Sequence, residues 1–338
     1  RLSTAQKDIN MKHILNELIE HRSFNKDTAR QVLIDLASGK FNASQMSAFM
    51  TVYMMRAITL DELQGFRDAM LELCIPVSMD APVMDVCGTG GDGKNTFNIS
   101  TLSSFVVAAA GQPVAKHGNY GVSSICGSSN LLQYFGYEFT NDQDELKRSL
   151  DRANIFFMHA PLFHPAMKNI APIRKELGVK TFFNVLGPMV NPALPPRQLV
   201  GVFNLELARQ YGYLYQQGEK DFVVLHDLAG YDEISLTGPF KFFSNRGEQI
   251  LEPADLGLSQ VRAEELSGGD TVEESGKIFM DILEGRGTKA QNDVVIANAG
   301  LSLFAGHQEE GLESAIAKAR EALISGKALQ AFKKMINK

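Results

Sequence analysis

Tryptophan is absent from this chain of 338 residues, a composition too common to carry a functional argument. Cysteine is scarce. Cys74, Cys87 and Cys126 are too few and too irregularly spaced for a disulfide framework or a zinc site, and a reducing cytoplasmic compartment fits them best. No apolar run approaches about 18 residues, so no membrane span is expected. Long basic blocks are missing too. With 33 Lys and Arg against 39 Asp and Glu, and a formal net charge of −6, a nucleic-acid binder relying on overall positive charge is disfavoured. Internal repeats and low-complexity stretches are lacking. Arg1 to Asn10 is polar, without the apolar centre of a signal peptide, and Met11 is the candidate initiator, with the residues before it an extension. What is present is 44% hydrophobic content, enough at this length for one large core and a smaller one.

The chain reads as two kinds of pattern. Up to Pro76 it is helical. Ile14, Leu15, Leu18 and Ile19 make one apolar stripe, and Ala29, Val32, Leu33 and Leu36 a second, closed by Gly39. Asn42 with Gln45, and Thr59 with Glu62, have the spacing of capping boxes for two further helices. After Pro76 strands alternate with helices, with strands expected at 83–86, 114–115, 155–158, 199–203 and 222–225. Helices are expected at 102–110, 205–217, 271–284, 292–304 and 312–324. This alternation predicts an α/β fold: a small N-terminal helical domain, 1–76, and a larger α/β domain, 77–338, around a central, mainly parallel sheet. The Pro-rich stretch 160–196 breaks the alternation. A helical excursion around 165–192 is expected to leave the sheet domain and join the bundle.

The most informative segment is Gly88-Thr89-Gly90-Gly91-Asp92-Gly93-Lys94-Asn95-Thr96-Phe97-Asn98-Ile99-Ser100-Thr101. An apolar run precedes it and a helical stripe of Leu102, Phe105, Val106 and Ala109 follows. A strand therefore feeds a glycine turn that opens a helix, and the free N–H groups of such a turn attract an anion. Three ligands compete for this cradle. Gly88, Gly90 and Gly93 fit the dinucleotide pattern, but Lys116 follows the next strand where a carboxylate should hold the ribose. Gly88 and Gly93-Lys94 nearly fit a P-loop, but Asn95 replaces the hydroxyl that would hold magnesium. The third is a phosphorylated sugar with a second anion site, for which 116–128 is the candidate.

Three further groups can carry chemistry. Lys116-His117-Gly118-Asn119 leads into Ser123, Ser124 and Ser128, a strand-end ammonium followed by hydroxyls and accessible N–H groups. Ser128 either caps a helix beginning near Asn130 or serves the anion, and both roles are compatible. Asp232-Glu233 follows a strand and a Gly230 turn; the pair is either solvated surface or an oxygen-donor metal anchor, with Ser100 as another ligand. Arg174 is either an exposed helix arginine or a fork for a carboxylate. His117 and His164 are open to acid–base or structural roles.

Taken in order, Asp85-Val86-Cys87 with the glycine turn, Asn98-Ile99-Ser100-Thr101, Lys116-His117-Gly118-Asn119, His164-Pro165-Ala166-Met167-Lys168 and Asn184-Val185-Leu186-Gly187-Pro188 resemble the anthranilate phosphoribosyltransferases of tryptophan biosynthesis. The resemblance runs from about Met11 to the C-terminus. It implies the nucleoside phosphorylase/phosphoribosyltransferase type of fold, a homodimer, and an active site in a cleft between domains. It also implies transfer of the 5-phosphoribosyl group from phosphoribosyl pyrophosphate to the amino group of anthranilate, with Mg2+ and without nucleic-acid or membrane partners. By motif, Gly88, Gly91, Asp92, Thr96, Asn98, Ile99, Ser100 and Thr101 would hold the donor, and Lys116, His117, Gly118, Asn119, Tyr120, Gly121, Val122, Ser123, Ser124 and Ser128 would complete that site. Lys116 and Asp92 would be catalytic, and Ser100, Asp232 and Glu233 would hold the metal. Anthranilate would meet Asn119 and Arg174, with Gly88, His117, His164 and Pro188 lining its approach.

The chain departs from the family pattern in places. Tyr120 stands where many members carry Arg, Ser129, Asn130 and Gln133 where many have Ala, Asp and Glu, and His159 at a commonly aromatic position. These changes spare the phosphate and metal groups and bear on the electrostatics at the donor loop. Two other readings share the scaffold: a pyrimidine nucleoside phosphorylase, and a non-catalytic relative that binds nucleic acid, which the acidic balance and the intact Asp232-Glu233 pair oppose.

Overall fold

The computed structural model describes residues 10–121 and 124–337, so the residues before Asn10, including most of the expected N-terminal extension, lie outside it. The chain divides into two compact units. One holds the residues up to Ile75 together with His164–Val190; the other holds Pro76–Phe163 and the chain from Asn191 onward.

The first unit is built on helices α1 (Met11–Ile19), α2 (Lys26–Ala37), α3 (Ala43–Met55) and α4 (Leu60–Leu73). Both expected capping boxes form, at Asn42 with Gln45 and at Thr59 with Glu62. Glu62 does more than cap. Completely buried, it accepts from Phe24 N at 3.1 Å, Tyr53 Oη at 3.1 Å, Arg56 Nη1 at 3.0 Å and Thr59 N at 3.0 Å. A buried carboxylate needs such partners, and these join the α1–α2 loop to α3 and α4. The excursion contributes short helical turns, including Ala171–Leu177 and Phe183–Leu186. Its Phe182 stacks on Phe66 at 4.7 Å and meets Phe49 and Tyr53 at 6.0 and 5.2 Å.

The second unit carries one sheet of seven strands: β1 (Met84–Gly88), β2 (Val114–Gly118), β3 (Ile155–His159), β4 (Arg197–Gly201), β5 (Asp221–Asp227), β6 (Phe240–Ser244) and β7 (Gly247–Leu251), in the order β3-β2-β1-β4-β5-β6-β7. The first five pair in parallel, and β6 and β7 add an antiparallel edge. Alternation along the strands separates two apolar faces: Met84, Val86, Val114 and Phe157 join the main core, while Val83, Ala115, Phe156 and Met158 join a smaller one. Helix α5 (Ile99–Ala109) contributes Leu102, Phe105 and Val106 to the main core.

Several expectations need correction. β2 continues to Gly118, so Lys116 and His117 lie within the strand and not beyond it. The helix expected near Asn130 begins at Ser128, and 143–153 is a helix that the pattern reading passed over. The β6–β7 hairpin was not expected either, because exposed β7 has no apolar alternation to betray it.

Candidate active site

The sheet order places a topological switch between β1 and β4: from β1 the sheet continues through β2 and β3, from β4 through β5. Crevices open at strand C-termini at such a point. There Gly88 lies opposite Gly201, and both make room for one residue. A Cβ on Gly88 would lie 2.4 Å from Asp232 Oδ2, and one on Gly201 would lie 1.5 Å from the Asp232 carbonyl oxygen. Beyond Gly88 the chain turns through Gly90, Gly91 and Gly93 at φ of 65°, 77° and 76°, a left-handed run open chiefly to glycine. Asp92 Oδ1 closes the turn by accepting Lys94 N at 3.0 Å.

Carboxylates of Asp232 and Glu233 hold two N–H groups of this cradle. Gly90 N donates to Asp232 Oδ2 at 2.6 Å and Ser100 N to Glu233 Oε1 at 2.9 Å, with Thr96 Oγ1 3.5 Å from Glu233 Oε2. The start of α5 thus meets a carboxyl group where its dipole favours negative charge, and that group is Glu233. Burial and the nearby Asp92 raise Asp232 to about 7. Burial, then Asp232 and Asp92, push Glu233 well above the usual carboxylate range, with Lys116 pulling the other way. Clustered carboxylates that resist ionisation are what a hard divalent cation relieves, with water and phosphate oxygens filling the remaining positions. The donor set therefore fits such an ion.

Residues invisible to motif reading hold the pair in place. Asn298, in the helix Lys289–Gly306, accepts from Ile234 N at 2.9 Å and donates to Ile234 O at 2.8 Å. Asp227 Oδ2 accepts from Ser235 N at 2.9 Å and Ser235 Oγ at 2.6 Å. The only signal for Asn298 was an amide inside an otherwise apolar helical stretch.

Lys116 is buried at 3% exposure, and its Nζ donates to Val86 O at 2.7 Å, two residues before Gly88. Burial lowers its pKa, while Asp85, Cys87 and Glu233 oppose that shift. The ammonium is therefore on the glycine-turn side of the strand. After β2, Asn119 folds back on its own loop: Tyr120 N donates to Asn119 Oδ1 at 2.8 Å, and Ser129 N and Ser128 Oγ donate to Asn119 O at 3.1 and 3.4 Å. Asn130 Oδ1 closes the loop by accepting from Gly121 N and Gly127 N at 2.9 and 3.0 Å. Asn98 ties it to the helix start through Nδ2 and Cys126 O at 2.8 Å. Gly118 and Ser124 lie on the same stretch, whereas Val122 and Ser123 are outside the described residues. The departures from the family pattern touch one another. Tyr120 Oη lies 3.3 Å from Gln133 Oε1, its ring meets His159 at 4.9 Å, and His159 Nδ1 lies 2.9 Å from Ser129 Oγ.

Two donor-site candidates offer little side chain to a ligand. Ile99 belongs to the core and its N–H bonds Phe97 O at 2.6 Å; Thr101 is 1% exposed.

In the first unit, Arg174 sits half-buried in the helix Ala171–Leu177, between buried Ile173 and exposed Lys175. Burial pushes its pKa down, and it forms no ion pair among the described residues. Nη2 donates to Asn184 Oδ1 at 3.3 Å, and the guanidinium carbon lies 5.2 Å from the Phe183 ring centre. A desolvated cation without a carboxylate suits an anionic ligand. His164 is buried, and burial lowers it to about 4, so it is neutral at pH 7 and has no proton of an imidazolium to give. Pro188 is buried in the turn Gly187–Met189.

Residues 12–74 match the helical bundle domain, and residues 80–329 the a/b domain, of the glycosyl transferase family. Anthranilate phosphoribosyltransferase of Christiangramia forsetii is 56% identical over 96% of this chain and 98% of its own length, and that of Flavobacterium johnsoniae is likewise 56% identical over 96% and 98%. The crystal structure of anthranilate phosphoribosyltransferase from Thermus thermophilus aligns with a TM-score of 0.88 at 31% identity, covering 95% of this chain and 98% of that one. The Saccharomyces cerevisiae enzyme in complex with PRPP and Mg shares the fold, with a TM-score of 0.88 at 24% identity over 97% of both chains. These matches favour the transferase over the phosphorylase and the nucleic-acid-binding relative, and the chain belongs to the anthranilate phosphoribosyltransferase family.

Proposed function

We propose that this chain transfers the 5-phosphoribosyl group of phosphoribosyl pyrophosphate to the amino group of anthranilate, giving N-(5-phosphoribosyl)anthranilate and pyrophosphate in tryptophan biosynthesis. The observation that carries the reading is the gathering of the glycine turn, Lys116 and the Asp232–Glu233 pair around the C-terminal ends of β1, β2 and β4.

The donor's phosphates would lie against the 88–93 turn and the loop after β2, where N–H groups and the Lys116 ammonium offer fixed positive charge. Asp232 and Glu233 would hold Mg2+ with Ser100 beside them, and the bound ion would supply charge compensation for the departing pyrophosphate. As the C1–O bond breaks, positive charge builds on the ribose, and Lys116 holds the negative charge that builds on the leaving group. Arg174 would take the anthranilate carboxylate on its fork. The aniline nitrogen is already a nucleophile at neutral pH, so positioning replaces a strong base; the neutral, buried His164 suits a wall, not a proton carrier. A homodimer in the cytoplasm belongs to the same reading, and sedimentation of the purified chain tests its oligomeric part. Among the described residues no helix is long and apolar enough to cross a membrane.

The deciding experiment follows anthranilate fluorescence with phosphoribosyl pyrophosphate and Mg2+ each present or omitted. Loss of fluorescence only with both supports the transfer. Phosphorolysis of thymidine or uridine without anthranilate consumption would overturn it.

A further inference from the structure

The run Asn184-Val185-Leu186-Gly187-Pro188 has so far been given no task beyond Pro188, yet its first residue touches Arg174. The Asn184 oxygen Oδ1 accepts from Thr181 N at 3.0 Å and from Arg174 Nη2 at 3.3 Å. The first bond fixes the amide on the backbone of its own turn, so the second gives the guanidinium a fixed acceptor. On another side lies Phe183, 5.2 Å from the guanidinium carbon. That ring stacks on Phe182 at 4.3 Å, and Phe182 stacks on Phe66 of α4 at 4.7 Å. The stack is therefore rooted in the helical bundle and not in the excursion itself.

Resting on the reading that Arg174 receives the acceptor's carboxylate, we infer that Asn184 and Phe183 are positioning residues that orient its guanidinium before anthranilate arrives. A free arginine loses side-chain rotamer entropy when it is ordered, and pre-organisation removes that cost from the binding step. The chemistry of the two holders matters as much as their place. Both attract a cation while carrying no charge, one through an amide oxygen and one through a ring face. A carboxylate at 184 would orient Arg174 equally well, but it would neutralise the fork and repel the incoming acid. Nε and Nη1 of Arg174 make no hydrogen bond among the described residues, which leaves donors for a carboxylate.

Steady-state kinetics of Asn184→Ala, Asn184→Asp and Phe183→Leu, each alone and in an Arg174→Ala background, test this. Asn184→Ala should raise the anthranilate KM about tenfold and Phe183→Leu about threefold, as befits loss of a charge-assisted hydrogen bond and of a cation–π contact. Asn184→Asp, which preserves shape and both bonds to Oδ1, should raise it further than Asn184→Ala. The KM for phosphoribosyl pyrophosphate should stay near wild type, and in the Arg174→Ala background all three substitutions should change the anthranilate KM by less than about twofold. Full retention of their effects in that background, or an unchanged anthranilate KM in Asn184→Asp, would overturn the inference. If Arg174→Ala alone leaves the anthranilate KM unchanged, the acceptor assignment falls first, and this inference falls with it.

Discussion

The switch point of the sheet and the turn around Arg174 solve opposite electrostatic problems. At the switch point negative groups are in excess: burial and Asp92 raise the pKa of Asp232, burial with Asp232 and Asp92 raises that of Glu233, and backbone N–H groups hold Asp232 and Glu233. Around Arg174 a single positive group is held by neutral partners. Under the proposed function, the first arrangement receives a cation and a polyanion together, the second a monoanion alone. Backbone geometry builds the first, through Gly88 opposite Gly201. Side-chain packing builds the second. Substitutions should therefore act on the donor in one region and on the acceptor in the other.

Glu233→Ala should break the comparison most severely. It removes a proposed metal ligand and frees the start of α5, and kcat/KM for phosphoribosyl pyrophosphate should fall about 10³-fold, measured as a Mg2+ titration of turnover; a normal Mg2+ response would remove Glu233 from the proposed metal site. Lys116→Ala should cost about 10²-fold in the same ratio, with anthranilate KM little changed. Arg174→Ala should reverse that split, raising the anthranilate KM about 30-fold while the donor KM stays within about twofold.

Asp232 sharpens the contrast through pH. Its folded pKa of about 7 lies above the ordinary carboxylate value, so the folded chain keeps a proton that the unfolded chain releases near pH 4. The stability it contributes is complete below about pH 4 and is lost as pH rises through about 7. The metal-free chain should melt at progressively lower temperature between pH 5 and pH 8, and Asp232→Asn should flatten that decline; equal slopes in wild type and variant would contradict the assignment. The smallest effect is expected from Tyr120→Phe. It removes only the 3.3 Å contact with Gln133, at a part-exposed site, and the donor KM should move by less than about threefold.

Local signals were readable where a short segment does a local job. The capping boxes at Asn42 and Thr59 need only residues three apart, and both form. The glycine turn needs positive φ at Gly90, Gly91 and Gly93, and no other residue type adopts it as readily. The parallel core strands announced themselves as apolar runs between turns; β2 and β3 begin at the expected residues and run further, while β1, β4 and β5 shift at both ends. Exposed β7 and the helix 143–153 were missed because their patterns are mostly polar. Ile99 looked like a ligand residue by its neighbours in sequence, but the helix turns its side chain into the core.

Short-range chemistry in the amino-acid order thus dictated the bend, the caps, the alternation of strand and helix, and the family. Long-range assembly alone decided that Gly201 would face Asp232, that Glu233 would occupy the start of α5, and that Asn298 would clamp the residue beyond them. The reason is separation along the chain: propensity and periodicity act over a turn or a strand, whereas a site made from residues 100 or more positions apart, such as Ser100 and Glu233, exists only once the sheet has closed the distance.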